Sequence, residues 1–589
     1  MTPLRIANSS GFYGDRLAAP REMLEGGPID VLTGDYLAEL TMSILWKARQ
    51  KDGGAGYAVT FLKQMEEALG LALAKGVRIV ANAGGLDPAG LAAKLRELAA
   101  RLGLRARIAH VEGDDLLDRL GVLQAAGHRL EHMDSGRPLA ELGRAPVTAN
   151  AYLGGWGIAA ALEAGADVVV CGRVADASLV VGPAAWRFGW ARDDWDRLAG
   201  AVVAGHVIEC GAQATGGNYA FFTEVPGLTN PGFPIAEVHE DGSAVITKHP
   251  GTGGEVSVGT VTAQLLYEIE GPRYLNPDVV ARFDTIRLQA EGPDRVRLSG
   301  VRGEPAPATA KVGITYLGGY RNTMTFVLTG LDIEAKAALV RETLFGGGSW
   351  VEADVQLIRT DKPDPASSEE ASALLRVTVK DADPRKVGRA FSGRVVEMAL
   401  ANYPGFYGTT PPPDETPYAV YWPALVPAEL VAPVVVMDDG TRIPVPCPKG
   451  ATAAPPVEAP PLSAGGSPRG PTRRLPLGTV FGARSGDKGG NANVGLWARS
   501  DAGYAWLAAA LTPERFRELI PEARGLDVRR YELPNLRALN FVVVGLLGEG
   551  VASSTRLDPQ AKSLGEYLRA RMVELPEALL ADAPATLTR

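Results

Sequence analysis

The segment GHVIECGAQATGGN, residues 205–218, concentrates the side chains best able to do chemistry in this chain. His206 and Glu209 stand three residues apart, so on a helix they share a face, as an acid–base pair or as two metal ligands. An imidazole titrates near neutrality, which makes His206 the natural proton mover, with Glu209 orienting it or acting as base if burial raises its pKa. Cys210 is a nucleophile if its thiolate is stabilised, and a small core residue otherwise. The spacing is short and no HExxH is present, so it names no metal and no protease class.

Two further segments carry charge inside glycine-rich sequence. Lys248-His249-Pro250-Gly251-Thr252-Gly253-Gly254 combines two basic types with three glycines, a loop able to present backbone N–H groups to a carboxylate or phosphate, or an ordinary turn before a helix. In ARSGDKGGNANVG, residues 483–495, Arg484 and Lys488 are expected to hold an anion. Ser485 and Asp487 are expected there as hydrogen-bond or proton-transfer partners and Asn491 as a further binding residue, in an elaborate binding loop or a self-satisfied structural one.

These residues need a scaffold. Short apolar runs at 5–7, 29–33, 77–83, 105–111 and 167–172 alternate with amphipathic stretches at 57–75 and 88–102. Strand followed by helix, repeated, predicts an α/β fold with a mostly parallel sheet and flanking helices. Ligands of such sheets collect beyond the carboxyl ends of the strands. There stand Asp35, Asn82, Arg173 and Asp176, at strand ends that each offer a glycine, expected to line one crevice, although Asp, Asn and Gly also start helices and turns. From His206 onward, alternating stretches such as 243–249 and 285–291 predict an α+β second lobe. The domain reading is therefore 1–205, 206–443, a Pro/Gly/Ala-rich linker at 444–476, and a small α+β domain at 477–589.

Bulk properties exclude several classes. The 589 residues carry a formal charge of −8 with 46% hydrophobic and 22% charged residues, a globular composition of the wrong sign for counterion-driven nucleic-acid binding. Cys171, Cys210 and Cys447 are scattered, which opposes a disulfide framework or a cysteine zinc site. Residues 1–8 lack the apolar core of a secretory signal, and no run reaches the roughly 20 apolar residues of a membrane span, so a cytoplasmic location is expected. Gly11-x-x-Gly14 is not the dinucleotide fingerprint and no P-loop occurs, which disfavours nicotinamide and ATP chemistry.

The stretches RIANSSGFYGDR (5–16), GDYLAELTM (34–42), CGRVADASLVVGP (171–183), HVIECGAQATGGNY (206–219), KHPGTGGEVSVGTV (248–261) and ARSGDKGGNANVG (483–495) resemble the acyclic terpene utilisation protein family over nearly the whole chain. That resemblance implies a large N-terminal region followed by a ferredoxin-like domain. It also implies bacterial catabolism of citronellol- and geraniol-type compounds beside acyl-CoA carboxylases and hydratases. It assigns no catalytic residue.

Two functions follow as expectations. One is an enzyme acting on a branched acid or its acyl-CoA thioester as lyase, hydratase or hydrolase, with His206, Glu209, Cys210 and Asp176 catalytic. The other is a non-catalytic acyl-CoA-binding accessory subunit. No cofactor is evident beyond the CoA moiety of a substrate, the need for a divalent metal stays open, and a homo-oligomer is compatible. Limited proteolysis of the full chain is expected to cut first within 444–476, read as N-terminal sequences of the fragments; first cleavage inside 1–200 would contradict the domain reading.

Overall fold

The computed structural model describes residues 2–52, 56–446 and 470–584. Its centre is an eleven-stranded sheet. Strands β1 (Leu4–Asn8), β2 (Val31–Gly34), β3 (Arg78–Ala81), β4 (Ile108–Glu112), β5 (Pro146–Ala151) and β6 (Val168–Cys171) arise in the first third of the chain. Of these, β1, β2, β3, β6 and β4 lie side by side, in that order, and all run parallel. β2 and β6 are buried at every residue, as parallel strands covered on both faces must be.

One face is covered by the helices Val59–Lys75 and Pro88–Arg101. Their Phe61, Met65, Leu69, Leu91, Leu95 and Leu98 recur at helical spacing and share a core with Leu32, Ile79 and Val168. Across the other face lie the helices Ser178–Phe188 and Trp195–Ile208. The second is buried at every residue from Leu198 to Ile208, so its last turn delivers His206 into the protein interior.

The sheet is less uniformly parallel than the sequence suggests. β7 (Pro234–Val238) and β8 (Ala244–Lys248) form a hairpin that pairs antiparallel to β1. Strands Arg295–Ser299 and Arg287–Gly292 continue that edge, and Val434–Val436 and Arg442–Pro444 extend the other, all antiparallel. The five-residue connection between β7 and β8 is too short for a parallel crossover.

Compactness divides the described residues into one unit of 2–314, 421–551 and 558–584, and a second of 315–420 and 552–557. The second unit is an antiparallel sheet with the helices Ile333–Phe345 and Arg389–Glu397, around a core including Phe326, Val340, Leu375 and Phe391. Most of the segment expected as a linker, 447–469, lies outside the described residues. No helix among the described residues is long and apolar enough to cross a membrane.

Within the first unit the C-terminal block is a four-stranded antiparallel sheet, ordered Gly482–Lys488, Asn491–Trp497, Ala538–Val543, Val528–Leu533. The segment 483–495, read above as a loop, is therefore a β-hairpin whose only loop residues are Gly489 and Gly490. Gly489 takes the left-handed φ of +62° that such two-residue turns require. Four glycines masked the alternation.

That alternation has a purpose. Val494, Leu496, Leu539 and Phe541 face the helices of the block. Arg484, Gly486, Asn493, Gly495 and Asn540 instead meet the turn at residues 266–270. A Cβ at Gly486 would lie 2.5 Å from the Tyr267 ring, so the close approach requires glycine. Asn540 Nδ2 donates to the carbonyls of Ile269 (3.2 Å) and Glu270 (2.6 Å), and Asn493 Oδ1 accepts from Glu268 N at 2.8 Å. An Asn540→Ala variant leaves those buried carbonyls unmet and is expected to lose about 1–3 kcal/mol of stability, read by denaturant melts; an unchanged midpoint would show that the turn is held by packing alone.

Candidate functional site

Because β2, β3 and β6 are neighbours, their carboxyl ends open onto one place. Asp35 follows β2, and its Oδ1 accepts from Asn82 Nδ2, just after β3, at 2.6 Å, and from Leu37 N at 3.1 Å. Asn82 Oδ1 in turn accepts from Tyr36 N at 2.7 Å, so the two strand tips lock each other. After β6, Arg173 N donates to Asp114 Oδ2 at 2.8 Å. A Cβ at Gly172 would lie 2.6 Å from that same oxygen, which explains the glycine. Burial pushes the Asp114 carboxyl up to about 6.

Arg173 is almost fully buried. Its guanidinium donates to Leu37 O at 3.0 Å and to the Tyr152 hydroxyl at 3.0 Å, and stands 3.5 Å from Asp176 Oδ1. Tyr152 passes a hydrogen bond to Glu39 Oε1 at 3.2 Å, and Lys311 Nζ is 3.9 Å from the same carboxylate. Although deep in the protein, Asp176, Glu39 and Lys311 keep 31%, 29% and 32% of their side chains accessible. They line a cleft, not a sealed core.

The buried helix adds the third wall. His206 Nδ1 lies 3.5 Å from Glu209 Oε1, the neighbour its i,i+3 spacing implies. The ring packs against Tyr274 and Phe283 with centroids 5.0 and 5.5 Å away. Burial, then the positive charge of Lys488, drives His206 down to about 3; the carbonyls of Gln264, Leu265 and Tyr267 oppose this without a well-formed hydrogen bond to either ring nitrogen. His206 is thus a neutral imidazole, not the near-neutral proton mover its reference pKa suggests. Glu209 follows at the helix end, with its carbonyl accepting from Asn8 Nδ2 at 3.1 Å. Gly11 packs on the next peptide, where a Cβ would lie 2.5 Å from the Cys210 carbonyl carbon. Burial first, and then Glu209 and other carboxylates, raise the Cys210 thiol, the reverse of what a thiolate nucleophile needs.

Asp35, Asp176 and Glu209 therefore meet, with one oxygen of each within 4.8 Å of the others. For each, burial is the largest influence and raises the carboxyl; Asp176 further raises both Asp35 and Glu209, while Arg173 opposes the shift of Asp176. The C-terminal block supplies the cations. Lys488 Nζ donates to Glu268 O at 2.8 Å, and burial and then Lys311 pull its ammonium below the usual lysine range. Lys562 hydrogen-bonds the Tyr267 hydroxyl and lies 3.8 Å from Glu268 Oε1. Asp487, with an unpartnered Oδ1, is pushed up to about 8 by burial, then by Glu268 and Glu39.

Family models match the chain in two parts: that of the acyclic terpene utilisation family protein AtuA over residues 4–437, and that of the AtuA ferredoxin-like domain over residues 475–574. The chain belongs to the acyclic terpene utilisation family. No curated protein and no solved structure matches it. In this family member the ferredoxin-like domain is the block whose strand Gly482–Lys488 brings Asp487 and Lys488 to the cleft.

The other expected site residues have the following partners. Lys248 Nζ donates to Thr252 O at 2.8 Å and pairs with Asp294 at 3.0 Å. His249 Nε2 meets Met23 O at 2.9 Å beside Gly26 and Gly27. Gly251 and Gly254 take φ of +77° and +83°, and Gly253 packs against the backbone at Gly227, so this loop's glycines serve its own conformation. Ser485 Oγ accepts from Gly565 N and donates to Lys562 O. Asn491 bridges Asp134 and Gly545 N, and Arg484 stacks on Tyr267 at 4.3 Å. The sequence reading missed Glu39, Lys311, Tyr152 and Glu268. Glu39 lies inside a motif singled out above, but no local pattern marks Lys311 or Glu268.

Asp487 carries a pH prediction. Its folded pKa, about 8, exceeds the ordinary carboxyl value of about 4, so the stability it contributes is fully present below pH about 4 and is lost as pH rises to about 8. Asp487→Asn removes that loss. The variant's melting temperature relative to wild type is expected to climb between pH 5 and 8 and then level off; a difference independent of pH would mean the carboxyl is ionised throughout.

Proposed function

We propose that this chain is a catabolic enzyme that moves a proton on a small branched or terpene-derived acid, taken as its acyl-CoA thioester, in lyase, hydratase or hydrolase type chemistry. One observation carries the reading: Asp487, a carboxyl lifted to about 8 by burial and then by Glu268 and Glu39, and Lys488, an ammonium held low, answer to the same Glu39 and Glu268 carboxylates in a cleft where Asp176, Glu39 and Lys311 stay accessible. General acid–base catalysis works best with a pKa near the working pH, and Asp487 satisfies that condition where His206 does not. Lys311 and Lys488 suit the carbonyl or carboxylate of an acid substrate, and Arg173, tied to Leu37 and Tyr152, fixes the wall behind them. The family's place in acyclic terpene utilisation supports a branched substrate.

The test begins with binding. A thermal-shift screen of CoA thioesters and free branched acids is expected to yield a stabilising ligand, because a ligand of the native state raises the melting temperature. With that ligand as substrate, Asp487→Asn is expected to lower kcat by about 10²-fold or more with little change in KM, the scale of acid–base catalysis. Cys210→Ala is expected to stay active. Full turnover by Asp487→Asn removes Asp487 as proton mover, and tight binding of thioesters with no turnover by wild type favours the accessory-subunit reading.

A further inference from the structure

The geometry points to a divalent-cation site formed by Asp35, Asp176 and Glu209 at the carboxyl edge of the central sheet. One oxygen from each residue lies within 4.8 Å of the other two. An ion with metal–oxygen distances of about 2.1 Å, such as Mg²⁺ or Mn²⁺, spaces its ligands roughly 3–4 Å apart, and Ca²⁺ at about 2.4 Å up to roughly 4.8 Å, so the three oxygens already stand near the spacing such an ion requires. All three donors are hard carboxylate oxygens, which selects an oxygen-preferring cation over a thiophilic one.

Proximity of carboxylates is not by itself a site, and a second observation supplies the reason for a ligand. His206 is 1% exposed, yet neither ring nitrogen makes a well-formed hydrogen bond, the nearby carbonyls of Gln264, Leu265 and Tyr267 being poorly aligned, and Nδ1 lies 3.5 Å from Glu209 Oε1. Glu209 is 7% exposed and its Oε2 has no donor either. Buried polar atoms are left unpartnered only rarely. A cation between the carboxylates gives Glu209 its missing partner and leaves His206 placed to hold that carboxylate in its ligating position, as the outer shell of metal sites commonly does. The first ligand is already oriented: Asp35 Oδ1 is held by Asn82 and the Leu37 N–H. Asp176 keeps 31% of its side chain accessible, which leaves a path for the ion and a face for water or substrate. This site shares the cleft of the proposed reaction but does not depend on the identity of the substrate.

The experiment uses the full-length chain, stripped with chelator and assayed without substrate. Mn²⁺ is titrated and its free concentration followed by electron paramagnetic resonance, with Mg²⁺ and Ca²⁺ as competitors. The expected result is one Mn²⁺ per chain, displaced by Mg²⁺ or Ca²⁺, with affinity at least tenfold weaker in Asp176→Asn and in Glu209→Gln. Each variant keeps side-chain shape and removes one of the crowded charges, so its metal-free melting temperature is expected to equal or exceed that of wild type. If a variant does fail to fold, Asp35→Asn and the wild-type stoichiometry still decide. No saturable binding by wild type up to millimolar Mn²⁺, or binding that the folded variants leave unchanged, overturns the site. Because no substrate enters the assay, that outcome is separate from any failure to find turnover.

Discussion

The constraint on which the site depends is the electrostatic cost of holding acidic side chains together away from water. Two ionised carboxylates about 4–5 Å apart repel by roughly 3–4 kcal/mol even at an effective dielectric of about 20. Asp35, Asp176 and Glu209 stand within that range of one another, and burial is the largest influence on each. Such a group holds a proton, meets a fixed cation or binds a mobile one. The fold supplies fixed cations in Arg173 and Lys488, and neither makes a direct hydrogen bond to the Asp35 or Glu209 carboxylate. Charge is therefore balanced at a distance, and the carboxylates stay available.

The C-terminal block matters because of the two faces of its sheet. Its inward residues fill an ordinary apolar core with helices. Its other face is made of glycine, asparagine and basic residues that grip the 266–270 turn. That turn carries Tyr267 and Glu268, whose hydroxyl, carboxylate and carbonyl engage Lys562 and Lys488. Asp487 and Lys488 thus reach the cleft on a rigid strand, and their side-chain positions are better defined than a loop would make them.

Glycine-rich motifs divide here into two kinds. Gly11 and Gly172 are small because a neighbour distant in sequence presses on them, the Cys210 peptide in one case and the Asp114 carboxylate in the other. Gly251 and Gly254 are small because the backbone there is left-handed, and the loop spends its polar groups on itself. Both kinds look alike in sequence. Only the neighbour across space tells them apart.

The sequence by itself determined the elements and the edge of the sheet where the titratable side chains gather. Apolar runs marked β2, β3 and β6, polar residues after them marked the strand tips, and His206 with Glu209 was legible as one helical face, because these are local regularities of spacing 2 and 3.6. The composition of 444–476 marked a segment with little to bury. The pairing that turned 483–495 into a hairpin and the antiparallel flanks of the sheet were not legible, since both depend on partners distant in the chain. The proton affinities were hidden for the same reason. His206 is driven down, and Asp487 and Cys210 up, by burial and by charges from Lys488, Glu268 and Glu209 that only tertiary structure brings near. Residue type sets the reference pKa, but desolvation and Coulomb interaction are properties of the folded surroundings, and here they lower a histidine and raise an aspartate nearly three hundred residues away.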